Sequence, residues 1–327
     1  MKTRTSGAIG LSALLACSGL SHAGIKTFND SVSNNFHDAG NWTPNGVPTH
    51  DDRVVIPSGE TCNVVANGAT VEFTIDTMEV DGVLNIDDGI TLILENDDDN
   101  VAGGGLGPSS PDDTTIDGIV NVGASSGGTL FVKMLWPTLA EHVFGGDGTL
   151  RGFDDSVIRI LGGDVFTSLL GASGANGIMG SFTIDTGSSA TATFNNEGRI
   201  VADNNGLIVL DQFLILDDIA DAIWEVNGTC QTGFSEMQFH RAATIDGDFV
   251  TDSHACFHFF EDVKTCGALV DEFCNGLEVE SGVVFSYADY VGGMFCTNPG
   301  TDPGGVVDCD NPYTYDENDP LYCAGCP

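Results

Sequence analysis

The feature that most constrains this chain is a repeated local pattern. A glycine comes first, then a short alternating apolar run, then Asn, Asp or Gly. Gly82, Gly89, Gly118, Gly128, Gly148, Gly198, Gly206 and Gly282 each precede such a run. Val71, Phe73 and Ile75 fall on one strand face, as do Leu84 with Ile86, and Ile90 with Leu92 and Leu94. Later runs cover residues 130–132, 157–161, 191–194, 207–210, 237–239, 257–259 and 283–287. Glycine supplies the positive φ that a sharp corner needs. Corner, strand and corner again describe one coil of a solenoid, which buries its inward side chains against the coils above and below. The spacing is irregular, which excludes a strict short-period roll. The expected fold is all-β, a right-handed parallel β-helix with loops of variable length. A β-sandwich pair is the alternative.

One segment departs from the pattern. Ile215, Ile219 and Ile223 stand four apart, with Asp217, Asp218 and Asp221 between them. That spacing predicts a short amphipathic helix within residues 214–224, with strand as the other reading. Asp97 to Gly105 and Pro108 to Asp113 read as loops. The expected organisation is a signal peptide at 1–23, a cap at 24–60, a β-helix body at 61–296 and a tail at 297–327. The tail is rich in Cys, Pro, Gly and Asp, and reads as irregular and disulfide-pinned.

Charge narrows the function. The 327 residues hold 48 acids against 10 bases, a formal net charge of -38. Phosphate neutralisation needs clustered Lys and Arg, so no nucleic-acid partner is expected. Such a surface stays soluble in salt and attracts divalent cations. Lys2 and Arg4, the apolar stretch Ala8 to Ala16, and Ser21-His22-Ala23 read as an export signal cut after Ala23. Leu14-Leu15-Ala16-Cys17 gives a competing reading, a lipoprotein box with a lipid anchor on Cys17. No run of 18 apolar residues predicts a transmembrane helix. The expected location is secreted or cell surface, on the exterior of a bacterial envelope.

An oxidising exterior favours disulfides. Cys230, Cys256, Cys266, Cys274, Cys296, Cys309, Cys323 and Cys326 are the candidates, with pairings open. Cys62 stands alone and is the expected odd thiol.

Near the N-terminus, Asn41-Trp42-Thr43-Pro44-Asn45-Gly46-Val47-Pro48 is followed by Asp51-Asp52-Arg53-Val54-Val55-Ile56-Pro57-Ser58-Gly59. Then comes Met78-Glu79-Val80-Asp81-Gly82-Val83-Leu84-Asn85-Ile86. This stretch, residues 36–95, resembles the opening of G8-type and related pectin-lyase-like β-helix modules of secreted bacterial proteins. The resemblance implies a solenoid whose open end is plugged by Trp42, with Pro44, Pro48 and Pro57 stopping further strand pairing. Relatives with this opening include adhesin-like surface proteins and glycan-degrading enzymes.

Candidate chemistry is sparse. Gly152-Phe153-Asp154-Asp155 is similar to the paired-aspartate segment of pectin-type glycoside hydrolases, where Asp154 and Asp155 would serve as acid and base. The accompanying Gly-His-Gly and Arg-Ile-Lys segments are absent, and Arg159-Ile160-Leu161 is the nearest approach. A uronan lyase wants a Lys or Arg, and those after residue 23 are scattered: Lys26, Arg53, Lys133, Arg151, Arg159, Arg199, Arg241 and Lys264. His254, Cys256 and His258 share a strand face and have the residue types of a zinc or copper site, with His240 as a fourth ligand from a neighbouring coil. In an exported chain the competing reading is an oxidised Cys256 between surface histidines. Cys323-Ala324-Gly325-Cys326 has redox spacing within a disulfide-rich tail. No motif requires a cofactor. Calcium is possible at Asp97 to Asp99, or at Asp308, Asp310, Asp316 and Asp319, though neither stretch fits a calcium-loop pattern. Gly145 to Leu150 begins like a calcium nonapeptide, but Leu150 stands where Asp is needed, so it reads as a coil corner. The leading reading is an adhesin-like or envelope-structural protein, non-catalytic, whose partner is an extracellular polysaccharide or another surface protein. A polysaccharide-degrading enzyme and a metal-binding module are the alternatives.

Overall fold

The structure of the protein, a computed structural model, describes residues 24–287 apart from 97–113, 124–126, 135–140, 162–163, 167–175, 186–192, 212–213, 218–221, 229–234, 242, 246, 252–254, 262, 266–268, 272–276 and 280–284. Residues 1–23, read above as a signal peptide, and the Cys-rich tail therefore lie outside the described residues. So do the loops at Asp97 to Gly105 and Pro108 to Asp113.

The fold is a parallel β-solenoid. Apart from Trp42–Thr43, the strands pair in parallel with the equivalent strands of neighbouring coils, and the alternating runs supply three ladders. The first belongs to a 12-stranded sheet that runs from Gly24–Phe28 through Asp52–Ile56, Met78–Val80 and onward to Phe285–Tyr287. The other two merge into a 16-stranded sheet, because Thr149–Leu161 and Gly177–Asp185 are long enough to turn a corner and serve both. The parallel pairing sets the sandwich alternative aside. The described residues hold no α-helix, only a 3-10 turn at Ala39–Asn41.

Parallel register puts like positions on top of one another. In the second ladder Cys62 pairs with Leu84, Leu84 with Val120, Val120 with Leu150, and the column continues through Ile178, Ile200 and Trp224 to Phe249. All of these are buried. Removing one such side chain from water is worth about 1.5–3 kcal/mol. The core changes character along its length. Aliphatic side chains with Phe144, Phe182 and Phe194 among them fill the middle, while Trp224, Phe239, Phe249, Phe257 and Phe259 cluster towards the C-terminal coils. Phe239 and Phe259 are register partners and stack with centroids 4.7 Å apart.

The N-terminal end is plugged as the Trp-Pro opening suggests. Trp42 is buried edge-on between Phe28 and Phe36, at 5.1 and 5.2 Å, and its Nε1 donates to the Phe36 carbonyl at 2.7 Å. Trp42–Thr43 pairs antiparallel to Gly24–Phe28, which ends parallel growth of the first ladder. Asn35 bridges Asn63 and closes the edge of the second. Buried Asn41 holds this cap together. Its Oδ1 accepts from the Val32 and Ser33 amides, and its Nδ2 donates to Ser33 Oγ and the Asn35 carbonyl.

Two expectations need correction. The helix over 214–224 is absent, because Leu214–Asp217 is a strand of the first ladder and Ile223–Val226 a strand of the second. Ile215 pairs with Phe194 and Ala243, and Ile223 with Arg199. Ile215 and Ile223 thus belong to strands of different ladders, and Ile219 lies outside the described residues. The second correction concerns why glycine marks the corners. Gly89 has a φ of 70° and uses its freedom in that way. Gly118 is not in the left-handed region. It is glycine because a Cβ there would lie 2.0 Å from the Gly82 carbonyl oxygen, which accepts from the Ile119 amide at 2.9 Å. Gly148 stands in the same relation to the Gly118 oxygen, at 2.3 Å.

Gly118→Ala is therefore expected to cost about 2–4 kcal/mol, since it must push neighbouring coils apart or lose their hydrogen bonds. Gly89→Ala, with open space around its Cβ position, should cost about 1–2 kcal/mol from φ alone. Urea midpoints of the two variants check the ordering, and equal midpoints would contradict it.

Candidate functional site

The outward positions of the second ladder carry the most distinctive surface. Asn63, Asn85 and Asn121 occupy one register column on successive coils. Asn121 Nδ2 donates to Asn85 Oδ1, and Asn85 Nδ2 to Asn63 Oδ1, each at 2.8 Å. Two residues further along each strand lie Val65, Asp87 and Gly123, with Phe153 next in line on the following coil. The two columns line an open groove of about 420 Å³. Gly123 is buried with a φ of 75°, and a Cβ there would lie 2.7 Å from Ser156 Oγ and 2.8 Å from the Gly128 nitrogen, so the space beside it is filled.

A bulge places Phe153. Gly152 pairs with Gly180 and Ser156 with Phe182, so the three residues Phe153, Asp154 and Asp155 stand opposite the single Ser181. Buried Ser156 ties the bulge down. Its Oγ donates to the Val122 carbonyl at 2.5 Å and accepts from the Phe153 amide at 3.2 Å. The aspartates proposed as acid and base therefore sit on a corner bulge beside the groove. Asp155 is exposed with a φ of 61°, and the side chain of Asp154 lies outside the description.

The scattered cations have a structural use. Arg53 meets Glu79 at 2.8 Å, Arg159 grips Asp185 through Nε and Nη2 at 2.7 and 2.8 Å, and Arg199 meets Glu225 at 2.6 Å. Arg151 lies 3.7 Å from Asp203. Each pair joins different coils. The bidentate bond to Asp185 raises the pKa of Arg159. Burial pushes the Asp203 carboxyl up from its ordinary value, and the nearby Arg151 and Arg199 only partly oppose that. Lys26 donates to the Pro44 carbonyl at 3.2 Å.

The histidine and cysteine cluster takes a different form from a metal site. His254 lies outside the described residues. Cys256 is buried and disulfide-bonded, so it has no thiolate to offer a metal. This is the second of the two readings given for the cluster, an oxidised Cys256. His258 is buried, with Nδ1 3.3 Å from Glu236 Oε1. His240 bonds Gln238 at 3.0 Å. Both imidazoles rest on the Phe260 ring, at 4.0 and 4.4 Å, rather than converging on a common point. Among the described residues no three His, Cys, Asp or Glu side chains come together to hold a metal. The remaining disulfide candidates and the calcium candidates at Asp97 to Asp99 and in the tail lie outside the described residues. Gly145 to Leu150 forms a coil corner, where the Gly148 amide donates to the Ile116 carbonyl. Among the described residues no helix is long and apolar enough to cross a membrane.

The asparagine column was missed by sequence reasoning. Its members are 22 and 36 residues apart, and only the coil register reveals that they align. Comparison with protein families, curated proteins and solved structures finds no match to this chain.

Cys62 carries a free thiol in the core column, and burial raises its pKa far above the ordinary thiol range. It should stay unreactive to a thiol reagent at neutral pH in the folded protein and react fully in denaturant. Labelling in the native state, followed by peptide mapping, checks this. Rapid native modification of Cys62 would contradict its burial.

Proposed function

We propose that this chain is an exported, acidic surface or extracellular protein that works by contact rather than by catalysis. In this reading it is adhesin-like or envelope-structural. Its outer faces hold an extracellular polysaccharide, with another surface protein as the alternative partner. The observation that carries the reading is the groove, where in-register amides and an aromatic ring face solvent on a stiff scaffold. A solenoid repeats its surface from coil to coil, which suits a ligand that also repeats. The export pattern and the resemblance at residues 36–95 support a location outside the cell. The non-catalytic part is supported by the exposed corner setting of Asp155 and by the engagement of Arg53, Arg151, Arg159 and Arg199 in bridges between coils. No described feature calls for a cofactor, and calcium is the cation that an acidic surface of this kind would attract.

The test incubates the mature protein, with millimolar calcium, against a panel of extracellular polysaccharides. Co-sedimentation and new reducing or unsaturated ends are both scored. Binding without product is the expected result. Product that disappears in the Asp154→Asn/Asp155→Asn double variant would overturn the non-catalytic reading and make this a glycan-active enzyme.

A further inference from the structure

The hydrogen-bond inventory of the asparagine column says what kind of ligand it suits. A side-chain amide has two N–H donors and two acceptor lone pairs. Asn85 spends one N–H on Asn63 and one lone pair on Asn121. One donor and one acceptor remain. Asn121 spends one donor, and Asn63 spends one acceptor. The column therefore offers paired donors and acceptors repeated from coil to coil, about 4.8 Å apart. A hydroxyl group both donates and accepts, so a ligand with adjacent hydroxyls can satisfy both halves of each amide. A carboxylate or sulfate only accepts, and leaves half of each amide unused.

Three further observations agree. The column is cross-braced, so its geometry is held before any ligand arrives, which lowers the ordering cost of binding. Phe153, half-buried in the lining of the groove with its amide held by Ser156, presents a ring against which the apolar face of a sugar can lie. Asp87, also in the lining of the groove, repels an anion and accepts from a hydroxyl. The net charge of -38 acts in the same sense over longer range.

We infer that the groove lined by Asn63, Asn85, Asn121, Asp87 and Phe153 is a subsite for a neutral, hydroxyl-rich linear glycan lying along the solenoid axis. This rests on the reading of the protein as a polysaccharide binder, and adds the class of glycan, its direction and its contacts. The ring of Phe153 supplies stacking, and the amides supply orientation.

The experiment measures co-sedimentation of the full mature chain with insoluble β-glucan, chitin and mannan, and with calcium-gelled polygalacturonate. It uses the parent, Phe153→Ala, Phe153→Tyr and Asn121→Ala. Urea midpoints are recorded alongside, so that loss of fold is separated from loss of contact. Binding to at least one neutral polymer is expected. Phe153→Ala and Asn121→Ala should each weaken it about tenfold or more, with Phe153→Tyr within about threefold of the parent and all midpoints near the parent's. Neutral-glycan binding that both alanine variants leave unchanged would overturn this assignment while leaving the broader function standing. Binding confined to polygalacturonate would do the same. Failure to bind any of the polymers would remove both.

Discussion

Everything in this molecule depends on parallel coils stacking in register at close backbone approach. The hydrogen bonds of each ladder require neighbouring coils to run at strand spacing, and at one row of corners that spacing leaves no room for a Cβ. Gly82, Gly118 and Gly148 form a column in which each carbonyl oxygen occupies the place where the next residue's side chain would begin. The same carbonyls of Gly82 and Gly118 accept the amides of Ile119 and Thr149. Close approach and hydrogen bonding are thus one constraint seen twice. Once the corners are set, the inward side chains fall into columns, and burial of Leu84, Val120 and Leu150 follows from their register.

The charge distribution follows from the same stacking. A chain with so many carboxylates gains little from leaving its few guanidinium groups free in water. Their positions let Arg53, Arg159 and Arg199 reach across to an acid on the next coil. The pairs are partly exposed, and such pairs contribute modestly to stability. Their larger effect is on the surface. They neutralise carboxylates locally and leave the rest of the exterior anionic, which biases the groove against anionic polymers.

Much of the fold was legible in the sequence because it rests on two-residue alternation. Ile90, Leu92 and Leu94 turn inward as their spacing requires, and Trp42 plugs the end as its setting among prolines suggests. What stayed hidden were features set by alignment between coils. Ile215 and Ile223 mimicked a helical face although they belong to strands of different ladders. The corner glycines were recognised, but backbone crowding explains Gly118 where left-handed torsion was expected. Asn41 gave no sign that its amide would make four hydrogen bonds in the cap. The groove was least legible of all. Its asparagines are ordinary in sequence and become a site only when coils of unequal length bring them into one column. Asp154 and Asp155 were noticed for their resemblance to catalytic residues, whereas the neighbouring Phe153 and Ser156 shape the groove.

The unequal spacing of Asn63, Asn85 and Asn121 has a consequence for how such a chain can change over generations. Between the first two the chain takes 22 residues to return to the same column, and between the last two it takes 36, yet the amides meet at the same distance. Junctions of unequal length between ladder strands leave the register on either side undisturbed. Insertions and deletions at these junctions are therefore close to neutral for the stack, while a one-residue slip within a strand turns its buried face outward. Descendants of this sequence are free to acquire or discard whole excursions between coils, and with them new surface, at little risk to the column of amides.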